Sequence, residues 1–226
     1  MIATVWRKHW MELRGIWAFN VLFAIVPAIA FARQGEHPPG AVAPLVQSFI
    51  YALSFFALAI FPVRFAGTGL ATSKGVRPSR GRDPSLLFTL SLPARRRTLF
   101  FYRTGFCLLA MESLAVLGLV MGAIVFAHSG GSMQVFADGA WILVLMVPVY
   151  FFDSLLSIQF DAVSITQVQT LGAFALWFTL NRLGVNPQRV AAVLSGVAPI
   201  PFVLVTLLVA AGLATVTVWR LDRHDY

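Results

Sequence analysis

The chain has 226 residues, of which 58% are hydrophobic and 12% are charged, and its mean hydropathy is +0.80. Soluble domains carry about 25% charged residues, so this composition excludes an ordinary soluble globular protein. The apolar residues occur in runs of about 20, the length that a helix needs to cross a bilayer. The sequence therefore predicts an all-α, polytopic membrane protein in which residues 1–226 form a single transmembrane domain.

The net charge of +8 permits two interpretations. A basic surface patch is typical of nucleic-acid binding, whereas cations beside apolar runs are typical of a membrane orientation signal. Of the 17 Lys and Arg residues, 3 precede the first predicted span, 9 lie in residues 64–103, 2 lie in the tail, and the others are Arg33, Arg182 and Arg189. This division, 14 against 3, predicts cytoplasmic termini and a cytoplasmic 64–103 interval. The expected partner is the lipid bilayer and not nucleic acid.

Few residues offer catalytic or metal-binding chemistry. Cys107 is the one cysteine, which excludes an intrachain disulfide, and the 4 histidines are too far apart in sequence to show metal-ligand spacing. The chain has no GxxxxGK(S/T) phosphate loop, no GxSxG elbow and no HExxH helix. We therefore expect no metal or cofactor on this chain and no enzymatic activity.

Residues 1–17 predict an amphipathic helix at the membrane surface. At about 100° per residue, Trp6, Trp10 and Trp17 share one arc, while Arg7 and Lys8 point away from it. Tryptophan and cations on opposite faces suit an interfacial helix in the headgroup plane. The alternative is that these residues are the basic flank of the first span.

Six transmembrane helices are predicted from the apolar runs and the polar residues between them. Pro27 and Pro148 fall inside spans, where neighbouring helices compensate for the lost backbone hydrogen bond and a mild kink is expected. Residues 184–197 are predicted to be a loop that contains a short helical segment. The predicted spans are residues 15–32, 42–63, 104–127, 138–158, 166–183 and 198–219.

The long polar interval, residues 64–103, is predicted to contain a short helix over residues 83–93. Asp83 can cap its N-terminus through the carboxylate, and Pro84 suits the first helical position. Pro93 cannot donate a backbone N–H, so the helix should stop there. With about two to three turns it is too short to span a bilayer, and we interpret it as a docking element for a soluble partner. Its apolar side carries Leu86, Leu87 and Leu90.

Arg95, Arg96, Arg97 and Arg103 form a basic group after this helix. Cations near a membrane surface gain about 1 kcal/mol each from anionic lipid headgroups. We therefore expect these arginines to lie at the membrane surface, where they also help to orient the chain.

Glu112 is the one acidic residue that falls well inside a predicted span. An ionised carboxylate is costly at that depth unless it is paired or hydrated. Three roles are open: a hydrogen bond between helices, a contact with a transported substrate, and proton coupling. Polar side chains in other spans that offer a partner are Asn20, Gln47 and Ser54.

Two other patterns are less specific. Asp153 and Asp161 can share one side of a helix, but no His, Cys or further acid accompanies them. We interpret them as charges at a membrane boundary. Gly118 and Gly122 form a GxxxG pair, which allows close helix packing but is common in transmembrane segments.

The segment FTLSLPARRRTL, residues 88–99, with Arg103, Gly105 and Glu112 after it, resembles a pattern in the permease subunits of ABC-2 type transporters. Those subunits often carry a TLSLPVSR stretch, then a further basic position and a glutamate in the next span. Here Ala94-Arg95 stands in place of the commoner Val-Ser-Arg. The similarity is strongest over residues 83–112, and the six predicted spans and the N-terminal elbow helix agree with it.

The resemblance implies a set of partners. Residues 83–93 would be a coupling helix that docks into a groove on a cytoplasmic P-loop ATPase, and ATP and Mg would be bound by that ATPase. The complex would hold two ATPases and two permease chains, identical or different, in the bacterial inner membrane. Export is the expected direction by analogy. The docking residues would be Asp83, Leu86, Leu87, Thr89, Leu90, Leu92 and Pro93.

Two other functional classes are compatible with the sequence. A proton- or ion-coupled secondary transporter would use Glu112 as its coupling site. A membrane enzyme acting on lipid phosphates would hold the phosphates with the cytoplasmic arginines, but residues 64–103 offer only Asp83 as an acid. Dependence on an ATPase, as opposed to dependence on a proton gradient, separates a permease from a secondary transporter.

Overall fold

The computed structural model describes residues 2–33, 42–66, 96–157 and 182–223, together with five positions between 171 and 179. These parts of the chain are helical, with short turns and no strand. The predicted helix 83–93, Arg95, Asp161 and most of the predicted span 166–183 lie outside the described residues.

The described helices follow one another as long segments with short breaks. We number them α1 (Ile2–Ala32), α2 (Val42–Phe55), α3 (Phe61–Ala66), α4 (Arg96–Phe126), α5 (Ser132–Ser157), α6 (Pro187–Val197) and α7 (Pro199–Arg223). A π-helical turn, Phe56–Ile60, joins α2 to α3, and a 3-10 turn, Ala127–Ser129, follows α4.

Five stretches of the described chain are long and apolar enough to cross a membrane. They are Leu13–Ala32, Val42–Phe65, Phe100–Ser129, Ser132–Leu156 and Pro199–Arg220. They match five of the six predicted spans, so the all-helical fold with apolar helices of membrane-spanning length is confirmed for the described residues. The remaining predicted span, 166–183, stays a prediction.

Two predicted boundaries differ from the structure. α1 is one helix from Ile2 to Ala32, so the proposed surface helix 1–17 is not separated from the first span and stays a prediction. α4 begins at Arg96, so the last residues of the predicted 64–103 loop are helical. The cause is that Arg96 to Arg103 continue the same helical register as the apolar span, and helices tolerate arginine well.

α1 and α4 run parallel along their length. Trp6 Nε1 donates to the Tyr102 carbonyl at 3.2 Å, and Trp17 Nε1 donates to Ser113 Oγ at 3.0 Å, with 96 residues between the partners in both pairs. Both helices therefore start at the same end of the bundle, as the predicted topology requires of the first and third spans.

α2 runs in the opposite direction, and α5 runs parallel to α2. The ring of Phe23 in α1 lies 5.5 Å from that of Phe56, and Phe31 lies 6.0 Å from Phe49. Gly131, directly before α5, lies against Val42, and Gly139 of α5 lies against Ile50. The first four described spans therefore alternate in direction, as the predicted topology requires.

The π-helical turn lies directly before Pro62. Proline has no N–H to donate to the carbonyl four residues earlier, and its ring crowds that carbonyl. The chain widens instead, and the Phe61 N–H bonds to the Phe56 carbonyl. The turn therefore has a local cause in the sequence, and it allows α2 and α3 to continue as one span.

α6 is the short helical segment predicted within residues 184–197, and it packs against the other helices. Asn186 caps it, since its Oδ1 accepts from the backbone N–H groups of Gln188 at 3.0 Å and Arg189 at 3.1 Å. The Gln188 side chain donates to Ser54 Oγ at 2.8 Å and to the Tyr51 carbonyl at 3.2 Å. α6 therefore packs beside the last turn of α2 and forms most of the segment 184–197, for which a loop with a short helical segment was predicted.

The GxxxG pair of α4 is a packing site for α2. A Cβ atom on Gly118 would meet Leu53 and the Ala24 carbonyl, and one on Gly122 would overlap the ring of Phe49. Phe49 is fully buried. Its ring is held between the rings of Phe31 and Phe126, at 6.0 Å and 5.9 Å, so it has little room to move away.

We expect Gly122→Ala to destabilise the fold by about 1–3 kcal/mol, since overpacking a tight contact forces the neighbours apart. Thermal unfolding in detergent, followed by size-exclusion, would measure this as a lower midpoint. The matched control is Gly105→Ala on the same helix, where nothing lies within 4 Å of the added atom. Because alanine favours helix over glycine by about 1 kcal/mol, the control should unfold at the same temperature or higher. Equal losses in both variants would contradict the packing account.

Candidate functional site

One end of the bundle carries most of the described cations, and we call it the basic end. It is formed by the start of α1, by α3, by the start of α4 and by the end of α5. Arg64 and Arg103 lie here, and α3 contacts both α4 and α5. Ala66 and Arg96, which flank the segment with the predicted docking helix, are thus both at the basic end.

Tryptophan side chains of α1 contact α4 near the basic end. Besides the Trp6 and Trp17 hydrogen bonds, the Trp6 ring lies 5.7 Å from Phe106 and the Trp10 ring lies 6.4 Å from it. Trp6 and Trp10 keep 37% and 44% of their surface exposed. The indole arc predicted to face the membrane therefore packs partly against α4, which sequence periodicity alone cannot distinguish from lipid.

Arg103 belongs to a buried polar cluster and not to the exposed surface. Only 8% of its surface is exposed, which differs from the predicted place at the membrane surface. Arg103 lies about two turns after the first residue of α4, in the part of the helix that packs against other helices. Arg103 lies within electrostatic range of the Tyr150 hydroxyl in α5, and Cys107, Thr104 and Ser154 lie near the same hydroxyl.

Asp153 supplies a buried acid beside this cluster. It lies three residues after Tyr150, on the same side of α5, and is 3% exposed. A charge so buried is retained in folded proteins when an opposite charge or hydrogen bonds compensate it. Arg103 on α4 and Asp153 on α5 are therefore two buried charges that each require compensation where these helices pack. The membrane-boundary position predicted for Asp153 stays a prediction.

A double-mutant cycle tests whether these two charges compensate each other. If they do, Asp153→Asn leaves the Arg103 guanidinium buried without a counter-charge, and breaking a buried pair typically costs about 3–5 kcal/mol. Arg103→Met alone should also destabilise, whereas the double variant should recover much of the loss, giving a coupling free energy above about 1 kcal/mol. Unfolding in detergent measures all four proteins. Strictly additive effects would show that the two side chains are not coupled.

Glu112 lies on α4 with one carboxylate oxygen buried and without a hydrogen-bond partner among the described residues. The three side chains expected to pair with it have other partners. Asn20 donates to the Ile16 carbonyl at 2.7 Å, and Gln47 donates to the Tyr51 hydroxyl at 3.0 Å. Ser54 donates to the Tyr51 carbonyl at 2.9 Å and accepts from Gln188. The structure therefore does not show the predicted hydrogen bond between Glu112 and any of these three side chains.

The surroundings of Glu112 are open. Leu109 and Val116, one turn before and after it, are 60% and 42% exposed, and Gly105 has open space at its Cβ position. Glu112 is therefore partly buried beside an exposed strip of α4.

We expect Glu112→Gln to leave thermal stability unchanged or to raise it, because the substitution removes a buried charge without breaking a described hydrogen bond. The comparison is Ser113→Ala, which removes the acceptor of the Trp17 indole and should cost about 1 kcal/mol. Thermal unfolding in detergent measures both. A larger loss in Glu112→Gln than in Ser113→Ala would assign Glu112 a structural hydrogen bond.

A cavity of about 530 Å³ lies at the opposite end, between α2, α5 and α6. Its walls are mostly small and apolar, with polar groups from Gln47, Tyr51, Gln134, Asp138 and Ser195, and an indole from Trp141. The sequence analysis did not single out Asp138 or Trp141. Their spacing of three residues predicts that they share one face of a helix. Only the position of α6 shows that this face borders a cavity.

The described ranges contain no group of three or more His, Cys, Asp or Glu side chains that could hold a metal ion. Comparisons with protein-family models, with curated proteins and with solved structures found no match to this chain. The function must therefore be argued from the residues themselves.

Proposed function

We propose that this chain is the permease subunit of an ABC-2 type exporter in a bacterial inner membrane. The observation that carries the proposal is the segment at residues 88–99 with Arg103, Gly105 and Glu112 after it, which resembles the permease pattern. Two structural features support it. Ala66 and Arg96 lie at the same end as the start of α1, so a helix between them would face the compartment of the N-terminus. α4 also begins at Arg96, within the run of arginines that follows the proposed docking helix.

In this proposal, a separate P-loop ATPase binds ATP and Mg and hydrolyses the nucleotide. The short helix at residues 83–93 docks on that ATPase through its leucine side. Closure of two ATPases moves two docking helices, and the movement reaches the span through Arg96 at the start of α4. α4 transmits it to α1 through the tryptophan contacts and to α5 through the Arg103 cluster. The second permease chain, identical or different, completes the passage.

The decisive experiment is affinity purification of the tagged chain from native membranes in mild detergent, with mass spectrometry and an ATP-hydrolysis assay. We expect a P-loop ATPase to co-elute in stoichiometric amount. Leu87→Asp combined with Leu90→Asp should abolish co-elution, because a carboxylate in an apolar docking contact loses its hydration.

The matched control is Ser85→Asp, which adds the same charge about 160° from Leu87 on a helix of 3.6 residues per turn. An acid in the first turn also suits a helix N-terminus, so this variant should keep its ATPase. All variants should elute from size-exclusion as the parent does. An active complex that survives both leucine substitutions would remove the coupling assignment, and a parent chain without any ATPase would refute the permease proposal.

A gradient-driven carrier is the second candidate, and the buried carboxylate oxygen of Glu112 favours it. In that case transport into vesicles would collapse with the proton gradient and would not need ATP. Glu112→Gln would then abolish transport while the protein remained folded.

A further inference from the structure

The cavity between α2, α5 and α6 extends along the spans, from the end opposite the basic end towards the middle of the bundle. On α2 its lining residues run from Ala43 to Tyr51, and on α5 they run from Gln134 to Trp141. The apolar stretch that contains α2 is Val42–Phe65, so Tyr51 lies about 14 Å along it at 1.5 Å per residue. Since a hydrocarbon core is about 30 Å thick, the cavity reaches close to the middle of the membrane.

α6 covers only this half of the bundle. Its first turn is held at the middle of the apolar stretch, because the Gln188 side chain donates to Ser54 Oγ at 2.8 Å. Ser54 has 12 residues of the 24-residue stretch before it and 11 after it. The later turns of α6 line the cavity, and α7 begins at Pro199 directly afterwards. α6 is therefore a half-span that begins near the middle of the membrane and ends at the opposite end.

The chain just before α6 is not helical at this depth. Gly184 has a left-handed backbone with φ of 75°, and Val185 and Asn186 follow it without helical structure. Val185 is 45% exposed, so neighbouring helices do not enclose it. Non-helical backbone inside a membrane occurs where protein buries it or where it borders a water-filled cavity. The exposure of Val185 favours water.

Polar side chains follow the same half of the bundle. Arg189 is exposed and comes directly after Gln188, so it also lies near the middle of the membrane. It is one turn before Val193, a lining residue, on the same side of α6. Polar and charged side chains inside a membrane typically face the bundle interior or water. The polar side chains of the cavity wall, apart from Tyr51 and Trp141, are Gln47, Gln134, Asp138 and Ser195.

The exposed side of α4 differs at the same depth. Gly122 of α4 lies against Phe49 and Gly118 lies against Leu53, so residues 116–124 cover the depth of the cavity. Exposed side chains in this part of α4 are apolar, as contact with lipid requires. They are Val116, Val120 and Ile124.

We propose that the cavity is a water-filled vestibule that opens at the end opposite the basic end and stops near the middle of the membrane. Its occupants are water and small hydrophilic solutes, and the Gln188 hydrogen bonds to α2 lie at its inner end. Its use as the half of a transport passage farther from an ATPase rests on the proposed function. The hydration of the vestibule itself does not depend on an ATPase.

Pairs of single cysteines at matched depth test the vestibule. Gly139 lies against Ile50, so Ala140 on α5 is at the depth of Val120 on α4. Ala137 is likewise within about one residue of the depth of Ile124. Ala137 and Ala140 are exposed and line the cavity. Each variant carries Cys107→Ala, which removes the one native cysteine and leaves a single thiol.

The full chain in lipid nanodiscs is treated with (2-(trimethylammonium)ethyl) methanethiosulfonate, a charged reagent that partitions poorly into lipid, and modification is followed by intact mass. We expect Ala137→Cys and Ala140→Cys to react at least about tenfold faster than Ile124→Cys and Val120→Cys, because a thiol forms its reactive thiolate in water. Val185→Cys should react as fast as Ala140→Cys, since it lies at the inner end of the vestibule.

All variants should elute from size-exclusion as the parent does, and the two matched pairs give independent comparisons. Equal rates on α5 and α4, whether both fast or both slow, would overturn the proposal. Fast reaction at Ala137→Cys with slow reaction at Ala140→Cys and Val185→Cys would also overturn it, because water would then stop near the surface. The assay needs neither an ATPase nor transport, so its failure is distinct from a failure of the permease proposal.

Discussion

The close contact between α4 and α2 is the constraint on which the rest of the bundle depends. In a bilayer, lipid tails cover apolar surfaces as well as another helix does, so helices associate where their shapes allow close packing. Gly118 and Gly122 leave space on the surface of α4, and the side chains of Leu53 and Phe49 in α2 occupy it. The ring of Phe49 also packs against α1, so a single contact fixes three helices. α5 joins on another side of α4, where Gly139 receives Leu119.

The spans could be predicted because length and hydropathy are local properties. A run of about 20 apolar residues has few alternatives to a helix across the membrane, and five such runs are helices here. The close contact at Gly118 and Gly122 was less predictable. A GxxxG pair shows that a helix can approach closely, but not which helix does so.

The candidate site could be predicted much less well, because its geometry depends on contacts between distant residues. A short helical segment was predicted within residues 184–197, but the sequence does not show which helices α6 contacts. Its place in the bundle is set by Gln188, whose partner Ser54 is 134 residues away. Arg103 was assigned to the membrane surface by its neighbours in sequence, yet its burial depends on Tyr150 and Ser154 of α5. Asp138 had no distinguishing signal until α6 completed the cavity wall.

The two ends of the bundle differ in how their polar groups are used, and this difference bears on function. At the basic end, Arg103 lies against the polar groups of α5 and Trp6 is bonded to α4, so these contacts hold helices together. At the opposite end, Asp138 borders a cavity, and the buried indole N–H of Trp141 has no hydrogen-bond partner among the described residues. The π-helical turn lies between these two regions, after Tyr51 at the cavity and before Arg64 at the basic end. Under the proposed function, movement that begins at the basic end must pass this turn, or the neighbouring α4 and α5, before it changes the walls of the cavity.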